Sequence, residues 1–159
     1  MSEKNRALAI WRRLSALPFG KWMFSKFICL QAPYFGTIKP LFETLEPGCC
    51  EVRFKKRRGV LNHIGSVHAI AMCNVAELAG GTMTEVSIPS HKRWIPKGMT
   101  VEYVRKATTD VTAIATPDAT ADVNKNGEYP VNVTVADREG TEVFRARITM
   151  WLSDKKAAH

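Results

Sequence analysis

The sequence predicts an α+β fold in which a curved antiparallel sheet wraps round one central helix, with two shorter helices in front. Three observations carry that prediction. Residues 67–81, Val67-His68-Ala69-Ile70-Ala71-Met72-Cys73-Asn74-Val75-Ala76-Glu77-Leu78-Ala79-Gly80-Gly81, are apolar on every face a helix would present, so that helix belongs inside the fold. Beyond Pro89 the apolar period shortens to two, as half-buried strands require. One helix with apolar surface all round needs a sheet that curves about it. Its full burial asks for a second copy of that sheet, which predicts a homodimer or a dimer of dimers.

In chain order, residues 5–16 and 18–30 read as two helices split by Pro18. Ala32-Pro33-Tyr34-Phe35-Gly36 breaks regularity, and strands are expected near 37–45 and 49–57 on either side of the turn Glu46-Pro47-Gly48. The apolar helix covers about 67–86. Alternation at 99–105 and 110–116 predicts two further strands, the first preceded by a turn at Pro96-Lys97-Gly98. The segments 129–136 and 141–152 alternate around Asp137-Arg138-Glu139-Gly140, a hairpin signal. The predicted division is a helical extension over 1–31, one domain over 32–153 and a disordered tail over 154–159.

Bulk properties narrow the classes. A chain of 159 residues with 45% hydrophobic and 24% charged content can bury a core without staples. Cys29, Cys49, Cys50 and Cys73 form no CxxC pair and have no metal-ligand spacing with histidine, so no metal is expected, and reduced thiols in the cytoplasm are. No run reaches the ~18–20 apolar residues that cross a bilayer, and no secretory signal is evident. Net charge is +8, which suggests an anionic partner. Lys55-Lys56-Arg57-Arg58 could touch nucleic acid, but it lacks interleaved aromatics and reads more readily as the solvated end of a strand, so nucleic acid is not expected. The stretch containing Trp11, Trp22, Phe24 and Phe27 could lie on an anionic membrane; docking on the core is the favoured reading.

The chemistry should lie between Asn62 and Glu77. A carboxylate in the most apolar segment is unfavourable unless it is paired, hydrogen-bonded or given a task. His68 and Glu77 are nine residues apart, ~13.5 Å of helix rise and about half a turn, so they cannot meet within one chain. A shared site must then be built between two chains, and a two-fold axis makes two of them. Gly65 and Ser66 would let the chain turn into the helix, with Ser66 a plausible cap. Ala69 would leave its N–H open at the positive end of the helix, where a carbonyl oxygen gaining charge is stabilised. A carboxylate arriving opposite could serve as general base or nucleophile.

The run Asn62-His63-Ile64-Gly65-Ser66-Val67-His68-Ala69, followed by Ala76-Glu77-Leu78-Ala79-Gly80-Gly81, resembles the hotdog-fold acyl-CoA thioesterases, most of all the phenylacetic-acid-degradation type. That pattern puts Asn or Gln six residues before a His and an acid nine after it, which Asn62, His68 and Glu77 match over a likeness spanning roughly 33–153. The resemblance implies a hotdog fold and hydrolysis of an acyl-CoA, with coenzyme A as part of the substrate and no separate cofactor. Glu77 would be the base or nucleophile, the Ala69 N–H would polarise the thioester carbonyl, Asn62 would orient water or thioester, and His68 would brace the loop. Ile70 stands where relatives often carry a second glycine and would narrow the pocket. Ser66 would line it, and Arg93 and Lys97 could meet the coenzyme A phosphates. The alternative is a non-catalytic acyl-CoA or fatty-acyl binding module of the same fold. His63 beside Asn62 is expected to be structural.

Overall fold

The computed structural model describes residues 5–156. Helix α1 spans Arg6–Leu14 and α2 spans Gly20–Gln31; a 3-10 turn covers Pro33–Ile38. Strands β1 (Leu41–Glu46) and β2 (Cys49–Phe54) precede the long helix α3 (Ala69–Ser87). Strands β3 (Lys92–Tyr103), β4 (Val111–Pro117), β5 (Gly127–Asp137) and β6 (Glu142–Asp154) follow. The six strands form one antiparallel sheet in the order β1-β2-β4-β5-β6-β3. The sheet holds α3 on its inner face, and this is the hotdog fold.

Alternation explains the grip on α3. Val131, Val133 and Val135 on β5, with Ala146, Ile148 and Met150 on β6, turn inward and are buried, while Thr134, Arg145 and Arg147 turn out. Val75, Ala76, Leu78, Ala79 and Met83 meet them from the helix and are at most 2% exposed. The β5–β6 hairpin closes where expected: the Asp137 carboxylate accepts from the N–H groups of Glu139 (3.0 Å) and Thr141 (2.9 Å).

The two N-terminal helices dock through one aromatic cluster. Trp11 of α1 lies edge-on to Phe24 of α2 with centroids 5.1 Å apart, and Phe24 lies edge-on to Phe42 of β1 at 5.2 Å. All three are buried. The apolar stripe of this region nevertheless divides: Trp11 and Phe24 face the core, whereas Trp22 is 56% exposed. Among the described residues no helix is long and apolar enough to cross a membrane.

Several boundaries differ from the sequence reading. Residues 33–38 form the 3-10 turn rather than the start of a strand, with Pro33 at its head and Pro40 delaying β1 to Leu41. Strand β3 starts seven residues early, and Pro96-Lys97-Gly98 is a bulge within it rather than a turn ahead of it. An edge strand tolerates proline because its outward N–H has no ladder partner. Asp154 ends β6, and the Lys155 N–H donates to the carbonyl of His91 at 2.8 Å, so the tail begins later than 154. The remainder of that tail, 157–159, lies outside the described residues.

Candidate active site

The loop before α3 is built round Asn62. Its Oδ1 accepts from the N–H groups of Ile64 and Ser66, both at 3.1 Å, and its Nδ2 donates to Ser66 Oγ at 2.8 Å. The Asn62 N–H donates to the Ser66 carbonyl at 2.9 Å, which closes the turn. Gly65 sits at φ 80, in the left-handed region that glycine enters without strain. The Asn62 amide is thus engaged in holding the loop, and Ser66 is buried beside it. His63 and Ile64 project into solvent.

His68, not Ser66, caps the helix. Its backbone is extended (φ −63°, ψ 136°), and its Nδ1 accepts from the Ile70 N–H at 3.1 Å. The rest of the His68 side chain is exposed. The Ala71 N–H donates to the His68 carbonyl at 3.0 Å. Ahead of these two donors, the Ala69 N–H has no acceptor among the described residues. It is the first helical donor, at the positive end of a 19-residue helix.

Glu77 is exposed rather than buried as its apolar surroundings suggested. The sheet covers three sides of α3 and leaves the fourth open along Ile70, Cys73, Glu77 and Glu85, residues three, four and eight apart. Towards the helix end this open face is roofed by α1 and α2, which leave a groove of about 430 Å³. Glu77 lines it together with Ile10, Phe27, Phe35, Gly81 and Trp94. Gly81 is required by close approach: a Cβ there would come within 2.7 Å of the Trp94 ring. Trp94 is fixed from its other edge, where its Nε1 donates to Glu85 at 2.7 Å.

Towards the helix start the same face meets β3. Cys73 Sγ lies 3.5 Å from the Tyr103 hydroxyl, and that contact pushes the phenol above its ordinary range. Ile70 is 53% exposed, and Met99 and Tyr103 of β3 are partly open as well. Ala69 and Glu77 are eight residues apart, ~12 Å of rise, so one chain does not bring them together.

Arg93 and Lys97 lie on the other side of the sheet. Arg93 Nε donates to Ser153 at 3.1 Å, and Lys97 Nζ sits 4.2 Å above the Trp151 ring. Strand alternation, reset by the bulge at Pro96, turns both to the outer surface, so the structure joins neither to Glu77. Asn74 was overlooked in the sequence although it breaks the same apolar run. It is 6% exposed, donates to Thr37 Oγ1 at 3.2 Å, and its buried Oδ1 has no partner among the described residues, next to a small cavity that also reaches His68 and Ile70. No group of histidine, cysteine and carboxylate side chains among the described residues could hold a metal.

Comparison with known proteins places this geometry in a family. The family described as domain of unknown function DUF4442 matches residues 20–152. The chain belongs to DUF4442. The crystal structure of the structural-genomics target APC5556 is 49% identical to this DUF4442 chain, with 94% of this chain and 98% of the other covered at a TM-score of 0.83. A Pseudomonas aeruginosa protein of unknown function, described as a probable thioesterase, is 27% identical at a TM-score of 0.71, over 87% and 97% of the two chains. A thioesterase from Haemophilus influenzae superposes at a TM-score of 0.70 over 79% and 86%, but at 15% identity it shares the fold alone. No curated protein matches the sequence.

Proposed function

We propose that this DUF4442 protein hydrolyses an acyl thioester, with coenzyme A as the thiol, at sites composed between two chains. The observation that carries the reading is a pair of groups on α3: an N–H at Ala69 without an acceptor among the described residues, and a carboxylate on the open face at Glu77. A two-fold axis near the open face would set one chain's Ala69 against the other's Glu77. The long edge strand β3 supports that assembly. Among the described residues it pairs only with β6, and it presents partly exposed Ile95, Met99 and Tyr103, an edge of the kind a second copy covers.

In the reaction, Glu77 takes a proton from water as the water oxygen attacks the thioester carbon. The carbonyl oxygen, now negative, is held by the Ala69 N–H and the helix dipole. The C–S bond then breaks, the proton passes to the leaving sulfur, and acid and thiol depart. Asn62 and Ser66 act at one remove by fixing the loop that aims α3, and His68 does so by capping it. The groove beyond Glu77 suits the acyl chain, since its ~430 Å³ lies within the range of small-molecule pockets and its walls are mostly apolar. Thiol release from short, medium, long and aromatic acyl-CoAs, measured for wild type and Glu77→Gln, tests the reading. Release by the wild type, lost by at least a hundredfold in a folded variant, is expected for a base; full release by Glu77→Gln would refute the assignment.

The second reading is an acyl-CoA binding module without hydrolysis. It is favoured only by the exposure of Glu77 in the single chain, and binding of acyl-CoA with no thiol released would establish it.

A further inference from the structure

Helix α2 has a second apolar face that the core does not use. Phe19, Trp22, Met23, Lys26 and Leu30 fall at helical positions i, i+3, i+4, i+7 and i+11, within about 100° of one another. Phe19 is 84% exposed, Leu30 80%, and Leu17 in the preceding turn is exposed as well. These lie opposite Phe24 and Ile28, which dock inward, so the helix is apolar on both sides. Phe19 is also held at φ 61, a left-handed conformation that a bulky residue rarely adopts. That posture projects its ring from the α1–α2 corner.

Along one flank of this stripe lies a cationic hollow of about 350 Å³, lined by Trp22, Lys26, Lys39, Arg53, Lys55 and Arg57 among others. Arg53 is paired with Glu43, but Lys26, Lys39, Lys55 and Arg57 have no carboxylate within salt-bridge distance among the described residues. Arg57 donates to the Thr37 carbonyl, and its buried Nε has no partner among the described residues. Lys26 Nζ sits 5.6 Å from the Trp22 ring centre, which ties the charged flank to the apolar stripe.

We propose that this face docks on an anionic lipid bilayer. Phe19, Trp22, Met23 and Leu30 enter the interface, with Leu17 at the rim, and Lys26, Lys39, Lys55 and Arg57 receive lipid phosphates. Charge complementarity selects this occupant. A second copy of the chain would bring the same four cations against themselves or against another part of a chain whose net charge is +8, whereas an anionic headgroup layer satisfies the apolar stripe and the cations together. The stripe and hollow share none of their lining residues with the groove at Glu77, so the proposal stands apart from the hydrolytic reading.

The test is co-sedimentation of the full chain with phosphatidylcholine vesicles and with vesicles containing phosphatidylglycerol. Binding to the anionic vesicles that weakens with salt is expected, with little binding to phosphatidylcholine alone. The combined variant Phe19→Ser, Trp22→Ser, Met23→Ser should lose binding while keeping its circular dichroism, because all three side chains already face solvent. Replacing Lys26 and Lys55 by Gln and Lys39 by Asn, which tolerates the left-handed backbone at 39, should lower partitioning about fivefold per cation. No binding to anionic vesicles would overturn the proposal. So would a smaller particle for the serine variant in sedimentation velocity, which would assign the face to a second copy, or undiminished vesicle binding by both variants.

Discussion

Ala69→Pro isolates a single N–H. Proline removes the donor proposed to hold the oxyanion, and three features of the structure make the replacement mild. Ala69 is the first residue of α3, where proline is tolerated because the lost N–H lies outside the helical ladder. That N–H has no acceptor to forfeit among the described residues. His68 already holds φ −63° and ψ 136°, the extended region that a residue before proline must occupy. Folding should therefore be unharmed or stabilised by about 0.4–1 kcal/mol through the stiffer unfolded chain. Loss of one oxyanion donor costs about 10²–10³ in kcat, ~2.7–4 kcal/mol of barrier. The assay is thiol release at saturating acyl-CoA beside urea unfolding, with Ala69→Gly as the control that keeps the donor. A folded Ala69→Pro protein with kcat within a few-fold of wild type would rule out the Ala69 N–H as the oxyanion donor.

Two further predictions concern the frame. Trp11→Ala should destabilise the protein by about 3–5 kcal/mol in urea titrations, because it empties the space between α1, Phe24 and Phe42; a loss below ~1 kcal/mol would mean that the N-terminal helices do not dock through this cluster. Asp118 accepts from the Thr120 hydroxyl at 2.7 Å and N–H at 3.0 Å, from Asn132 at 3.0 Å and from Arg147, and these bonds hold its carboxyl well below the usual range. A depressed folded pKa adds stability above the unfolded value of ~3.9 and loses it as pH falls below that value. Asp118→Asn should thus lower the urea midpoint at neutral pH, and the gap should narrow between about pH 4 and 2. A gap independent of pH would contradict the assignment.

The strand–helix–four-strand order was legible in the sequence because its periods are long and clean, as at 129–136 and 141–152. So was the helix start, within two residues, since Gly65 and the apolar run bracket it. Other features depended on partners far along the chain. Ser66 looked like the cap, but the Asn62 amide holds it in the loop, and the histidine ring takes its place. Glu77 looked buried because residues 67–81 are apolar all round, yet the sheet leaves one side of α3 open and the N-terminal helices roof only part of it. Arg93 and Lys97 turned outward because the bulge at Pro96 sets which way that edge strand faces, and no local pattern announces a bulge. Asn74 was readable by the same logic that singled out Glu77, a polar group in an apolar run, and its buried Oδ1 bears that logic out.

In the proposed mechanism each site takes its N–H from one chain and its carboxylate from the other. Mixing Ala69→Pro protein with Glu77→Gln protein, unfolded and refolded together, tests it most directly. Each variant alone should be inactive. A mixed dimer then joins the intact Ala69 of one chain to the intact Glu77 of the other, restoring one site in two, so a statistical mixture should recover about a quarter of wild-type turnover. Recovery near that level is the predicted result. A mixture as inactive as its parents, with mixed dimers present, would place both groups in a single chain's site and contradict the account.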